Sequence, residues 1–145
     1  MKKRILIVED ERATWARLRE VLGADSYDLE WVQTGHEAVR RSLDNSFDVL
    51  VLDTDLADVD VWKVMDCLCR MHPFLAILAL VENAEEAQVA SFAGAGACVL
   101  KPVEERTFFK AVQRLLAEPN EERVARSMQS RLQLRLPNLE AALCE

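Results

Sequence analysis

The chain has 145 residues, 50% hydrophobic and 30% charged, with a formal net charge of −7 from 18 basic and 25 acidic side chains. That length suits one domain with a sizeable core, and the acidic balance argues against duplex nucleic acid as a direct partner. No apolar run approaches the roughly 20 residues of a membrane helix, and the apolar stretch of the N-terminal "MKKRILIVEDE" is too short for a signal peptide.

The expected location is therefore the cytoplasm, with the cysteines reduced. Cys67 and Cys69 lie two apart in a helical segment, and His36 and His72 are distant in sequence, so no zinc-ligand spacing is present.

Taken in chain order, residues 4–8 read as a strand, a short apolar run bounded by charge. Residues 12–22 read as a helix with Thr14, Leu18, Val21 and Leu22 on one face and Gly23 as its stop. "DLEWV", 28–32, alternates as an outer strand, and a helix follows over 36–44 with Ala38, Val39 and Leu43 apolar. "FDVLVL", 47–52, is nearly continuous in its apolar character, as a strand covered on both faces must be. Residues 60–71 carry Val61, Val64, Met65, Leu68 and Met71 at helical spacing before Pro73, with Asp60 as an N-cap. A buried strand over 74–81, a helix over 84–93 stopped by Gly94, a short strand over 97–100 and a helix over 104–117 complete the pattern. Five strands alternating with five helices predict an α/β fold, a parallel sheet with helices on both faces.

In such doubly wound sheets, ligands sit beyond the carboxyl ends of the strands where strand order reverses. Here those ends are acidic. Val49–Leu52 stops at Asp53, with Asp55, Asp58 and Asp60 following, and Ile5–Val8 runs into Glu9, Asp10 and Glu11. In the flavodoxin-like order 2-1-3-4-5 the first and third strands are neighbours, so Glu9, Asp10 and Asp53 converge. Three carboxylates that close do not all ionise without a cation among them. Oxygen ligands alone favour a hard ion, Mg²⁺ when phosphate chemistry is involved. Lys101, at the end of the fifth strand, supplies a point charge for phosphoryl oxygens. A carboxylate nucleophile, Mg²⁺ and a lysine together make an aspartyl-phosphate site.

From about residue 3 to 118 the chain resembles a response-regulator receiver domain of bacterial two-component signalling. "ILIVEDE" is similar to the family's first strand with its acidic pair, "FDVLVLDTDLADVD" to the third strand with the phospho-acceptor, and "AGAGACVLKP" to the segment ending in Lys-Pro. The resemblance implies that Asp53 takes a phosphoryl group from a histidine kinase, phosphotransfer protein or small phosphodonor. It implies Mg²⁺ held by Asp10 and Asp53, by Glu9 largely through water, and by the backbone carbonyl of Asp55. It also implies Lys101 on the phosphoryl oxygens, a cis Lys101-Pro102 bond, and a signalling protein with at most autophosphatase activity.

The departures from the family pattern are specific. The strand-four Thr or Ser, 22 positions before the lysine, is Ala79, and no Ser or Thr lies between Thr54 and Ser91. The next, usually small, residue is Leu80; the strand-five aromatic is Cys98; the usual Pro and Gly after the acceptor are Ala57 and Val61. Ala79, Leu80 and Cys98 favour a second reading, a phosphorylation-independent pseudo-receiver that binds protein, which the intact Glu9, Asp10, Asp53 and Lys101 oppose. A third, a haloacid-dehalogenase-type phosphohydrolase using Asp53 and Asp55, is weakened by the motif's place on the third strand. Asp55, Asp58 and Asp60 read equally well as a solvated turn, Trp15, Trp31 and Trp62 as half-buried packing or partner surface. The glycines of "GAGA" precede a strand and do not form a dinucleotide fingerprint.

The expected boundaries are a receiver domain over 1–118 and a C-terminal helical extension over 119–145. There Val124, Met128 and Leu132 form an apolar stripe that ends before Pro137 and either folds back or pairs with another chain, a homodimer included.

Overall fold

The structure, a computed structural model, describes residues 2–23 and 25–133. Its elements are β1 (Lys3–Val8), α1 (Arg12–Leu22), β2 (Tyr27–Val32), α2 (Gly35–Asp44), β3 (Val49–Asp53), α3 (Val61–Met71), β4 (Ala76–Val81), α4 (Ala84–Ala93), β5 (Ala97–Leu100), α5 (Glu105–Ala117) and α6 (Asn120–Gln133). The strands form one parallel sheet in the order β2-β1-β3-β4-β5, the flavodoxin-like topology that the sequence predicts.

Both sheet faces are covered, which is why β1, β3 and β4 are apolar at nearly every position. Alternate side chains enter two separate cores. Leu6, Val8, Leu50, Leu52, Ile77 and Ala79 pack with Met65 and Leu68 of α3 and Ala90 of α4. Ile5, Ile7, Val49, Val51, Leu78 and Leu80 pack with Leu18 of α1 and Phe108 and Val112 of α5. Each fully buried Leu or Ile there contributes about 1.5–3 kcal/mol relative to exposure.

On the site side, the starts of α2, α3 and α4 are capped by short polar side chains. Thr34 accepts from the Glu37 amide (3.1 Å), Asp60 from Trp62 (3.0 Å) and Asn83 from Glu86 (2.8 Å). The "GAGA" segment has two distinct uses for glycine. Gly94 ends α4 with φ at +114°. At Gly96 a Cβ would lie 2.8 Å from the Arg126 guanidinium and from Leu115 Cδ2, so a side chain there would displace these groups.

Four expectations need correction. The third strand begins at Val49, and Phe47 lies before it, buried beneath the Arg4 guanidinium 4.9 Å from its ring centre. The fourth begins at Ala76; Phe74 belongs to the turn after Pro73 and is 57% exposed. In α2 the buried face runs through Ala38 and Ser42, leaving Leu43 65% exposed.

Finally, α6 does fold back, but on a polar face. Buried Arg123 donates to the carbonyls of Asp48 (3.3 Å), Phe74 (2.9 Å) and Leu115 (2.5 Å), and Ser127 to that of Cys69 (3.1 Å). Met128 of the expected apolar stripe is 55% exposed. The Leu132 side chain and Pro137 lie outside the described residues.

Candidate functional site

β1 and β3 are hydrogen-bonded neighbours, paired from Ile5↔Val49 to Val8↔Leu52, so the residues that follow Val8 and end β3 meet at the carboxyl edge. Glu9 is fixed there through its backbone. Its amide donates to the Val32 carbonyl (3.0 Å), and its carbonyl accepts from the Trp31 indole (2.8 Å). Trp31 is itself stacked on Trp15, ring centres 5.3 Å apart and 11° from parallel. Two of the three tryptophans thus pack behind the site, and Trp62 is half-buried against the α3 core.

Glu9, Asp10 and Asp53 each bring a carboxylate oxygen to within 4.8 Å of the others. Glu9 and Asp53 are buried and Asp10 is exposed. Lys101 reaches in from the end of β5, held by its amide on the Val81 carbonyl (2.8 Å) and followed by a cis bond to Pro102. Its ammonium contacts Asp53 Oδ1 and also Glu82 Oε1 (3.1 Å). The Asp55 amide donates to Asp53 Oδ1 (3.0 Å), while the Asp55 side chain is exposed.

These surroundings split the carboxylates electrostatically. Burial first, and then the neighbouring Asp53, push Glu9 up to about 9. Burial works against the charge of Asp53 too, but hydrogen bonds from Glu9, Lys101 and the Asp55 amide outweigh it and hold Asp53 below the ordinary carboxylate value. Burial likewise opposes the Lys101 charge, and Asp53 and Glu82 together raise its pKa above the usual lysine value. Glu9 Oε2 is buried and meets no hydrogen-bond donor. An oxygen-only cluster with such an orphaned acceptor fits a hard divalent cation such as Mg²⁺. Zinc-type nitrogen and sulfur donors do not enter this cluster.

The altered positions are also close at hand. Ala79 pairs with Leu52 on one side and Cys98 on the other, and Leu80 is paired with Asp53 itself. Ala79 and Leu80 are fully buried. The Cys98 thiol donates to the Ala87 carbonyl (3.6 Å), and burial pushes its pKa up, which makes it a packing thiol and a poor nucleophile. Cys98 lines an open cavity of about 520 Å³ together with Ser91, Phe92, Ala97 and Arg114, among others.

Sequence reading missed several groups around the site. Glu82 contacts Lys101, and Thr54 Oγ1 contacts both the Leu80 carbonyl (2.9 Å) and Glu86. Asp58 accepts from the Gly35 (3.2 Å) and His36 (3.4 Å) amides, pinning the β3–α3 turn to the start of α2. None has a spacing signal; each depends on which loops the sheet order brings together.

A family model described as the response regulator receiver domain matches residues 5–113. The transcriptional regulatory protein SrrA of Staphylococcus aureus is 30% identical over 118 residues, covering 80% of this chain and 48% of SrrA. The transcriptional activator protein IrlR of Burkholderia pseudomallei is 36% identical over 69 residues, 48% of this chain and 30% of IrlR. The chain thus spans half or less of the length of these relatives.

Among solved structures, a CheY-like response regulator receiver domain protein from Methanospirillum hungatei matches with a TM-score of 0.76 at 24% identity, over 84% of this chain and 98% of that one. Chemotaxis response regulator CheY4 of Vibrio cholerae matches with a TM-score of 0.74 at 23% identity, over 80% and 100%. At these identities the structural likeness is one of fold. The third-strand position of Asp53 and this family match leave the hydrolase reading without support. The chain belongs to the response regulator receiver domain family of two-component signalling.

Proposed function

We propose that the chain is a phospho-accepting receiver of a two-component phosphorelay, with Asp53 as the acceptor. The observation that carries this reading is the charge arrangement: an ionised, buried Asp53 between a cation-seeking carboxylate pair and the Lys101 ammonium. An Asp53 oxygen forms a bond to phosphorus as the phosphorus–nitrogen bond of the donor's phosphohistidine breaks, and the departing imidazole takes up a proton. Lys101 follows the oxygens of the incoming group, and the Asp55 amide fixes the attacking carboxylate. Glu9, Asp10, Asp53 and the Asp55 backbone carbonyl would hold Mg²⁺, which when bound supplies positive charge for the transferring phosphoryl group.

The donor is a histidine kinase or phosphotransfer protein, and the output is a protein–protein contact. The receiver unit is residues 1–118, and 119–145 form an extension whose helix α6 docks on it. No described helix is long and apolar enough to cross a membrane, which is consistent with work in the cytoplasm.

Incubation with phosphoramidate, with and without Mg²⁺, tests the reading by intact mass and borohydride trapping. A single acyl phosphate on Asp53, dependent on Mg²⁺ and absent from Asp53→Asn, is the expected result. No adduct on the wild type would overturn it in favour of a phosphate-independent binding module, the reading that Ala79 and Leu80 favour.

A further inference from the structure

Two carboxylates beside the site take no part in the chemistry above. Glu82 lies on the β4–α4 turn and Glu86 in the first turn of α4, and each is tied to the site by one donor. The Lys101 ammonium stands between Asp53 Oδ1 and Glu82 Oε1. The Thr54 hydroxyl, adjacent in sequence to Asp53, faces the Leu80 carbonyl and Glu86 Oε1 with a single proton to give. That segment also starts a helix: the Glu86 amide is bonded to Asn83 Oδ1 (2.8 Å) and the Ala87 amide to the Asn83 carbonyl (3.1 Å). On the strand itself, Ala79 offers no hydroxyl and buried Leu80 fills the place beside Asp53.

We propose that Glu82 and Glu86 are the phosphate-responsive groups of this chain, and that they respond by being displaced. The inference rests on phosphorylation of Asp53. Phosphorylation replaces the single charge of the Asp53 carboxylate with roughly −1.5 to −2 and supplies three strong acceptor oxygens, against one carboxylate charge on Glu82. It withdraws Lys101 from Glu82, and the added like charge repels both carboxylates of the loop. The β4–α4 turn then loses its anchor on Lys101 and weakens its anchor on Thr54, so the start of α4 loosens. A ligand shifts such an equilibrium only through contacts that differ between the two states; here the differing contacts are Lys101–Glu82 and Thr54–Glu86. The signal leaves by competition for donors, with no hydroxyl drawn inward.

The test is amide hydrogen exchange on the full chain with Mg²⁺ held constant, with and without phosphoramidate, while intact mass reports the fraction phosphorylated. Exchange across 82–88 should speed up by about threefold or more on phosphorylation. Glu82→Gln should be phosphorylated to the same extent with less than half of that response. Thr54→Val, nearly isosteric, should exchange fast across 82–88 before phosphate is added and change little afterwards. Full phosphorylation with unchanged or slower exchange across 82–88 would overturn the proposal and leave the receiver function standing. Absence of the phosphorylated mass would overturn both, so the mass spectrum separates the two failures.

Discussion

At the amino-terminal edge of the sheet, Arg123 buries a cation against the carbonyls of Asp48, Phe74 and Leu115, with its Nε 3.7 Å from Glu118 Oε1. Beside it, Arg126 closes a two-point ion pair on Glu118 (2.7 and 2.6 Å), which holds that carboxyl below its ordinary pKa. At the carboxyl edge, Glu9 and Asp53 bury two carboxyl groups that face each other, with Lys101 on one side and an orphaned Glu9 oxygen on the other. Both edges bury charge, but the first is largely satisfied by the chain's own groups and the second calls for a proton or a cation from outside. The difference separates a clasp from a site: buried polar groups stabilise when their partners are internal and cost free energy when they are not.

Removing the clasp should have the largest effect on stability. Arg123→Ala removes a charged donor from three carbonyls, of which those of Asp48 and Leu115 keep a backbone donor, and leaves a space where the side chain packed, a loss of about 2–4 kcal/mol. Urea unfolding would measure it. Under native conditions the extent of Asp53 phosphorylation should not change, because the guanidinium lies at the opposite edge of the sheet. A variant of unchanged stability would reduce α6 to a decoration. A variant that folds but loses acyl phosphate would show that the two edges communicate.

The sheet and the acidic cluster were legible for the same reason. Strands covered on both faces must be apolar throughout, so Ile5–Val8 and Val49–Leu52 stand out, and a carboxylate ending such a run is conspicuous. Strand order then places Glu9, Asp10 and Asp53 together. The clasp was not legible, because periodicity weighs apolar side chains and pointed to Val124 and Met128, whereas α6 docks through Arg123 and Ser127. Phe74 and Leu43 misled in the converse sense: each extends an apolar pattern but lies outside the buried face, Phe74 because a proline turn precedes β4. Glu82, Thr54 and Glu86 carry no pattern at all, since their partners come from other strands and loops.

The site edge should reveal its unmet charge through pH. Glu9 sits near 4.5 when unfolded and near 9 when folded without metal. Between those values the folded state keeps a proton that the unfolded state has lost, so stability falls as pH rises through this window. Glu9→Gln removes the titrating group and should flatten the decline. At pH 8 without metal, the variant should be the more stable protein by on the order of 2 kcal/mol. Mg²⁺ should reverse the order, because the wild type gains a charged ligand that glutamine cannot supply. Binding near pH 7 should release a proton, visible as a dependence of the calorimetric enthalpy on the buffer. Equal pH profiles for the two proteins would mean that Glu9 is not held in its neutral form.

The smallest effect should come from the turn that follows Asp53. It lacks the proline and glycine usual in the family and is held instead by Asp58 on the Gly35 and His36 amides. Val59 packs against the same helix start so closely that a Cβ on Gly35 would lie 2.4 Å from it. Thr34 caps α2 through the Glu37 amide, and Asp58 supplies acceptors to two other amides of that helix start, one of them exposed to solvent. Asp58→Ala should therefore cost only about 0.5–1 kcal/mol in unfolding free energy. Its clearer signature should be local: faster amide exchange at residues 35 and 36, whose protecting acceptor has gone, and across the 54–60 turn. Asp58→Asn, which keeps one acceptor oxygen, should restore part of that protection. A loss as large as that of Arg123→Ala would show that this turn is a second clasp, and that the site edge of the sheet is as tightly closed as the other.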